Sequence, residues 1–156
     1  MTEQTTSTDL APIEIADDRA VNTLSADIDA MRQGKVAVFS SYRGESRDDK
    51  MNVLRAMTNS TALDTMIGKT VALANFVVQS IEMPDQNTGE MQTVPRIIIV
   101  DSEGKSYHAI SQGIWSALKN ICGILGMPAT WSAPVDVTVA QEKTNSGYRV
   151  FTLKIK

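Results

Sequence analysis

Residues equipped for covalent or metal chemistry are few in this 156-residue chain. It holds one histidine, His108, and one cysteine, Cys122, far apart in sequence. A Cys/His metal cluster of the usual kind is therefore excluded. No Walker loop, dinucleotide fingerprint or nucleophile elbow occurs. Asp101 and Glu103 are close, but they flank Gly104 in a segment that reads as a turn, so turn chemistry is expected of them rather than a metal. Cys122 lies among Ile121, Ile124 and Leu125 and reads as a buried thiol. His108 reads as a satisfied interior histidine. The expectation is a chain without catalytic residues, metal or cofactor: not an enzyme.

A binding face is easier to build. Sequence-tolerant binding of a single nucleic-acid strand needs aromatic surfaces for stacking and cations for phosphates. The candidates are Arg96, Lys105, Tyr107, Trp131, Lys143, Tyr148, Arg149 and Lys154, with Tyr42 and Arg43 upstream. Each has a structural rival. Tyr107 is either a stacking platform or a core tyrosine with a tethered hydroxyl. Tyr148 follows Gly147 at a hairpin and is expected to be exposed. Trp131 lies between Pro128 and Pro134, where it either packs across the mouth of a fold or stacks a base. Lys154 and Lys156 are phosphate contacts or solvated end charges. Phe39 near Tyr42, Arg43 and Arg47 either extends a groove or anchors its segment to the core, and the anchor is preferred. Trp115, on a helix rich in Ile and Leu, is expected in the core.

The elements that must position these residues follow from patterning. Residues 1–20 are polar and acidic and read as a disordered tail. Residues 21–68 form an extension: a short helix over Asn22–Gln33, a strand over Lys35–Tyr42, and a second helix opened by Ser46 with Asp49 as its capping partner. From residue 69 to 156 long strands take over. Thr70–Met83 carries Val71 and Leu73 on one parity and Phe76 and Val78 on the other, which predicts a bent strand with a bulge. Thr93–Asp101 and Ser106–Ser111 follow, with Pro95 near a strand start. Ile110 is taken as core-facing and His108 with it, which leaves Lys105, Tyr107, Ala109 and Ser111 outward. On Thr93–Asp101, Arg96 shares a parity with Ile98, and Ile97 with Ile99. A helix over Gly113–Leu125 precedes two strands, Val135–Gln141 and Tyr148–Lys156, joined at Thr144–Gly147. On the last strand Phe151, Leu153 and Ile155 are expected to face the core, with Tyr148, Val150, Thr152, Lys154 and Lys156 opposite.

The order β-β-β-α-β-β is that of a mainly β fold, a five-stranded Greek-key barrel of the OB type, carried here behind a helical and short-strand N-terminal extension. A five-strand α+β sandwich shares the order.

Charge bears on the ligand. The formal net charge is −3, which argues mildly against a generic polyanion coat. The ends differ, however. Seven acids fall between Glu3 and Asp29, whereas Lys143, Arg149, Lys154 and Lys156 are the charged residues of the last fourteen. That asymmetry points toward polyanions. No secretory signal is visible, the apolar runs are too short to span a bilayer, and a lone cysteine suits a reducing compartment, so a cytoplasmic protein without membrane contact is expected.

The stretch TVPRIIIVDSEGKSYHAISQGIWSALKNICGILG, followed by GYRVFTLKIK and preceded by TVALANFVVQSIEM with its NTGE loop, resembles the single-stranded DNA-binding proteins of phages of Gram-positive bacteria. The likeness covers roughly Gly68–Lys156 and extends more weakly over Ser40–Thr61. It implies an OB-like barrel that coats and protects single-stranded DNA during phage DNA replication in the host cytoplasm. Bacterial relatives of that broad type end in an acidic recruiting tail. This chain ends in a basic strand, so a segment recruiting phage replication proteins would have to be the acidic N-terminus. A homo-oligomer is compatible with the sequence. The rival reading from another class is a protein-interaction adaptor in a phage replisome or virion.

Overall fold

The structure is a computed structural model that describes residues 38–42, 46–147 and 149–156. The tail over 1–20, the helix expected over Asn22–Gln33, Arg43 and Tyr148 lie outside the described residues. In chain order the elements are β1 (Val38–Ser40), α1 (Arg47–Asn59), β2 (Thr61–Ala62), a 3-10 turn at Leu63–Met66, β3 (Thr70–Pro84), β4 (Met91–Asp101), β5 (Ser106–Ala109), α2 (Gln112–Leu125), a 3-10 turn at Pro128–Thr130, β6 (Val135–Lys143) and β7 (Arg149–Ile155).

Five of the strands run in the order β5-β4-β3-β6-β7, curled into an OB-like barrel wall with α2 between β5 and β6 in sequence. β3 organises it. The register of β3 shifts between Leu73 and Asn75, which is the expected bulge. Before the bulge β3 pairs with β6, from Thr70↔Thr138 to Leu73↔Val135. After it, the same edge is taken by β1, with Phe39 opposite Val78. The extra residue restores the inward aim, so Val71 and Leu73 and then Phe76 and Val78 all reach one core. Ser41 closes the gap between the two partners. Its hydroxyl accepts from the Phe76 N–H at 2.8 Å and donates to Asn75 Oδ1 at 2.9 Å, so the bent backbone leaves no donor unpaired at Phe76.

The two apolar faces of this sheet are covered by different helices. The inner face, with Ile97, Ile99, Val137, Val139 and Leu153, packs on α2 through Ile114, Trp115, Leu118 and Ile121. Ser111 caps α2, its hydroxyl accepting from the Ile114 N–H at 3.2 Å. Gly126, at φ +82°, ends it. Gly113 lets the first turn of α2 lie against β7, because a Cβ there would overlap the Phe151 carbonyl. The outer face of β3 and β4 presents Val77, Ile98 and Val100 to Ala56 of α1, with Val53 and Met57 beside it. Ser46 caps α1 through the Asp49 N–H at 3.0 Å, as its sequence suggests, and Asp48 and Asp49 favour the positive helix end. β2 leaves α1 directly and pairs parallel with β5, Thr61 opposite Tyr107.

Three expectations on facing are corrected. Tyr107 faces the core, 9% exposed, and Ala109 packs beside it. Ile110 lies past the end of β5 and is 48% exposed, and His108 is on the outer face with it in parity. The cause is that Ile97↔Ala109 and Ile99↔Tyr107 are the inward pairs of the β4–β5 ladder, while Ile110 belongs to the connection to α2. Ile155 holds the expected parity with Leu153, yet it is 62% exposed at the end of β7. Trp115, Phe39 and Cys122 are buried as expected. Burial pushes the Cys122 thiol up to about 12, so it stays protonated and inert.

Candidate nucleic-acid interface

The sequence candidates separate into three places. The first is the β6–β7 hairpin. It runs past the part of β6 that pairs with β3, and its register is Val139↔Leu153, Gln141↔Phe151 and Lys143↔Arg149. Side chains alternate across a strand, so Lys143 and Arg149 prolong the face that carries Val139 and Leu153 inside the barrel. Both are exposed, and Arg149 reaches Gln141 Oε1 at 3.5 Å. Lys154 is on the opposite face, across from Thr138, and meets Glu142 at 2.7 Å. Such an exposed pair holds little energy and leaves Lys154 available to exchange partners. The basic C-terminal segment is thus shared between two faces. Gly147, at φ +88°, makes the tip, with its N–H on the Thr144 carbonyl at 2.9 Å.

The second place is the seam where α1 and β2 meet β5. Lys105 and Tyr107 line one cavity of about 250 Å³ together with Arg55, Asn59, Thr61, Gly104 and Ser106. Asp101 organises the neighbouring turn rather than the cavity. Its Oδ1 accepts from the N–H groups of Glu103 and Lys105, each at 2.9 Å. Lys105 also faces Glu103 at 3.7 Å, with both side chains well exposed. Beside the cavity Arg96 is half-buried and tethered, donating to Gln79 Oε1 at 3.0 Å and to Ser60 Oγ at 3.1 Å. Ser60 Oγ also lies 2.8 Å from His108 Nδ1. Burial and then the Arg96 charge hold the His108 pKa below its ordinary value, against opposing effects of Ser60 and Asp64. His108 is therefore neutral at pH 7, and Arg96 carries the charge of this group.

The third set is structural. Trp131 packs on the inner core and its indole N–H donates to the Gly126 carbonyl at 2.9 Å. It thereby holds the segment after α2 against the inner core. Tyr42 packs in the outer apolar layer, and burial raises its phenol pKa. Among the described residues no three of His, Cys, Asp and Glu gather in a metal-holding group. No described helix is long and apolar enough to cross a membrane.

Arg55 and Asn59 are not among the sequence candidates. They stand four residues apart on α1 and so share a helix face. The sequence holds no signal that α1 lies against β5, because that placement comes from the parallel pairing of the two-residue β2.

This strand order, with a helix between the third and fourth barrel strands, defines an OB-type barrel, a class that binds oligonucleotides on its sheet and loops. The sequence pattern of one family in particular, Phage Single-stranded DNA-binding protein, matches residues 32–156. The chain belongs to that family, and single-stranded DNA is its ligand. The match also takes in β1, α1 and β2, so the part that precedes the barrel from residue 32 onward is common to the family pattern. No curated protein and no solved structure matches the chain.

Proposed function

We propose that the chain coats and protects single-stranded DNA made during phage DNA replication, binding without sequence preference and without catalysis. The observation that supports this reading is the exposed cross-strand pair Lys143↔Arg149 on a hairpin that projects past the barrel. A cation pair with no carboxylate partner among the described residues suits a phosphate backbone, which carries charge but no sequence. Lys154 on the opposite face and Lys105 on the barrel supply further exposed cations, and Arg96 a tethered one. Net charge −3 does not oppose this, since a strand meets the local field of the groove it occupies. In the same reading Arg43 and Tyr148 add a cation and a stacking ring, and the acids of the first thirty residues recruit phage replication proteins.

Titration with an oligo-dT strand at several salt concentrations, read by fluorescence, tests the proposal. Affinity should fall with salt, with a log–log slope of about 0.7 per neutralised phosphate. Oligo-dT and mixed-sequence strands should bind alike, and a labelled strand should emerge uncut. Absence of binding at low salt would remove the proposal. Capture of a replication or virion protein by a chain with no DNA affinity would favour the adaptor reading instead.

A further inference from the structure

We propose that the cavity at the α1–β5 seam is a phosphate site for the bound strand, held jointly by Arg55 and Lys105. This deepens the single-strand reading above and rests on it. Two cations enter the cavity from elements far apart in sequence, Arg55 from α1 and Lys105 from the turn before β5. The other residues that line it are neutral, among them Asn59, Thr61 and Ser106, and among the described residues no carboxylate lines the cavity. The nearby Asp101 carboxylate oxygen is engaged by two backbone N–H groups of its own turn. Glu103 touches Lys105 only at 3.7 Å and is exposed, so an incoming phosphate displaces it at little cost.

The chemistry of the floor decides between phosphate and base. Stacking a base needs a free aromatic face. Tyr107 is 9% exposed and its ring belongs to the inner core, so it offers none. What remains is a pair of cations with an amide and hydroxyls, the groups that hold a phosphate. The fork of the Arg55 guanidinium is now turned to Asn52 Oδ1 at 2.8 Å, an exposed bond that a phosphate oxygen replaces with a stronger, charge-assisted one. The consequence is that α1, which precedes the barrel, is part of the DNA site and not only a cover for the sheet.

The test is the salt-dependent oligo-dT titration on the full chain with Arg55→Ala, Lys105→Ala, the double variant and Arg55→Lys. Each alanine variant should weaken binding about tenfold at low salt, the effect of losing one charge-assisted bond. Because both cations hold one phosphate, the double variant should fall well short of the product of the singles. Its salt slope should drop by about 0.7 in total, and Arg55→Lys should keep the wild-type slope. Alanine variants that bind like wild type would overturn the site while leaving DNA binding by the chain intact. Fully multiplicative losses would overturn the shared phosphate. A wild-type chain that ignores oligo-dT would remove both this inference and the reading beneath it. Unchanged unfolding temperatures in the variants separate weaker phosphate binding from a damaged fold.

Discussion

The two faces of the central strands, β3 and β4, teach different things. Inside, nineteen buried residues among those described, drawn from all five barrel strands, α2 and their neighbours, form one continuous core, so the barrel depends on this layer. Outside, Ala56, Val77, Ile98 and Val100 make a layer of four buried residues, which is enough to dock one helix but not to hold a fold. Yet the outer layer fixes the position of Arg55 at the seam with β5. The inner layer makes the molecule, and the outer layer places a cation. Stability and DNA binding should therefore respond differently to damage on the two sides.

Emptying each layer in turn separates their roles. Phe76 is fully buried at the bend of β3 and stacks near Phe39, ring centroids 6.1 Å apart. Phe76→Ala should cost about 3–5 kcal/mol in urea unfolding, the usual range for a large core truncation. Ala56→Glu puts a carboxylate into the outer apolar layer of Val77, Ile98 and Val100. It should release α1 at a smaller cost, about 1–3 kcal/mol. Hydrogen exchange should then show α1 open and β3–β7 still protected, and DNA affinity should fall to that of Arg55→Ala. Loss of protection throughout the barrel would show that the two layers act as one.

The same comparison explains what is legible in the sequence. Strand order, the bulge in β3, the cap at Ser46 and the buried Trp115 and Cys122 all follow from local patterns. Facing on β4 and β5 does not. Ile97, Ile98, Ile99 and Val100 are all buried, because helices cover both sides, so alternation carries no information there. Parity then has to come from Ile110, which lies beyond the strand, and this exchanges Tyr107 and His108 between faces. The hairpin cations are legible because that hairpin leaves the barrel and its register follows from the turn. The seam is not, since it depends on a two-residue parallel pairing between segments about 45 residues apart, Thr61 and Tyr107.

The exposed hairpin gives the converse of the core variants. Lys143→Ala and Arg149→Ala remove side chains that support no packing, so unfolding should move within about 0.5 kcal/mol of wild type. Binding to oligo-dT should weaken, and the salt slope should fall by about 0.7 for each phosphate that is no longer neutralised. Combined with Arg55→Ala, the losses should multiply, because the hairpin and the seam would hold different phosphates. Wild-type affinity in both hairpin variants would shift the site onto the barrel itself.

The smallest effect belongs to His108, on the outer face beside the helix-covered patch. Burial, with help from Arg96, lowers its pKa in the folded protein, whereas in the unfolded chain it titrates near 6.5. Below pH 6.5 the unfolded state takes up a proton that the folded state still refuses. Stability must then decline as pH falls from 6.5 toward the lowered folded value, and no further loss comes from this group below it. Above 6.5 both states are neutral and the contribution is complete. His108→Gln keeps a side chain able to bond Ser60 but does not titrate. Its unfolding temperature should fall less than that of wild type between pH 7 and pH 5, while carboxylates affect both proteins alike. Parallel curves would mean that burial and the Arg96 charge exert no net hold on the His108 proton.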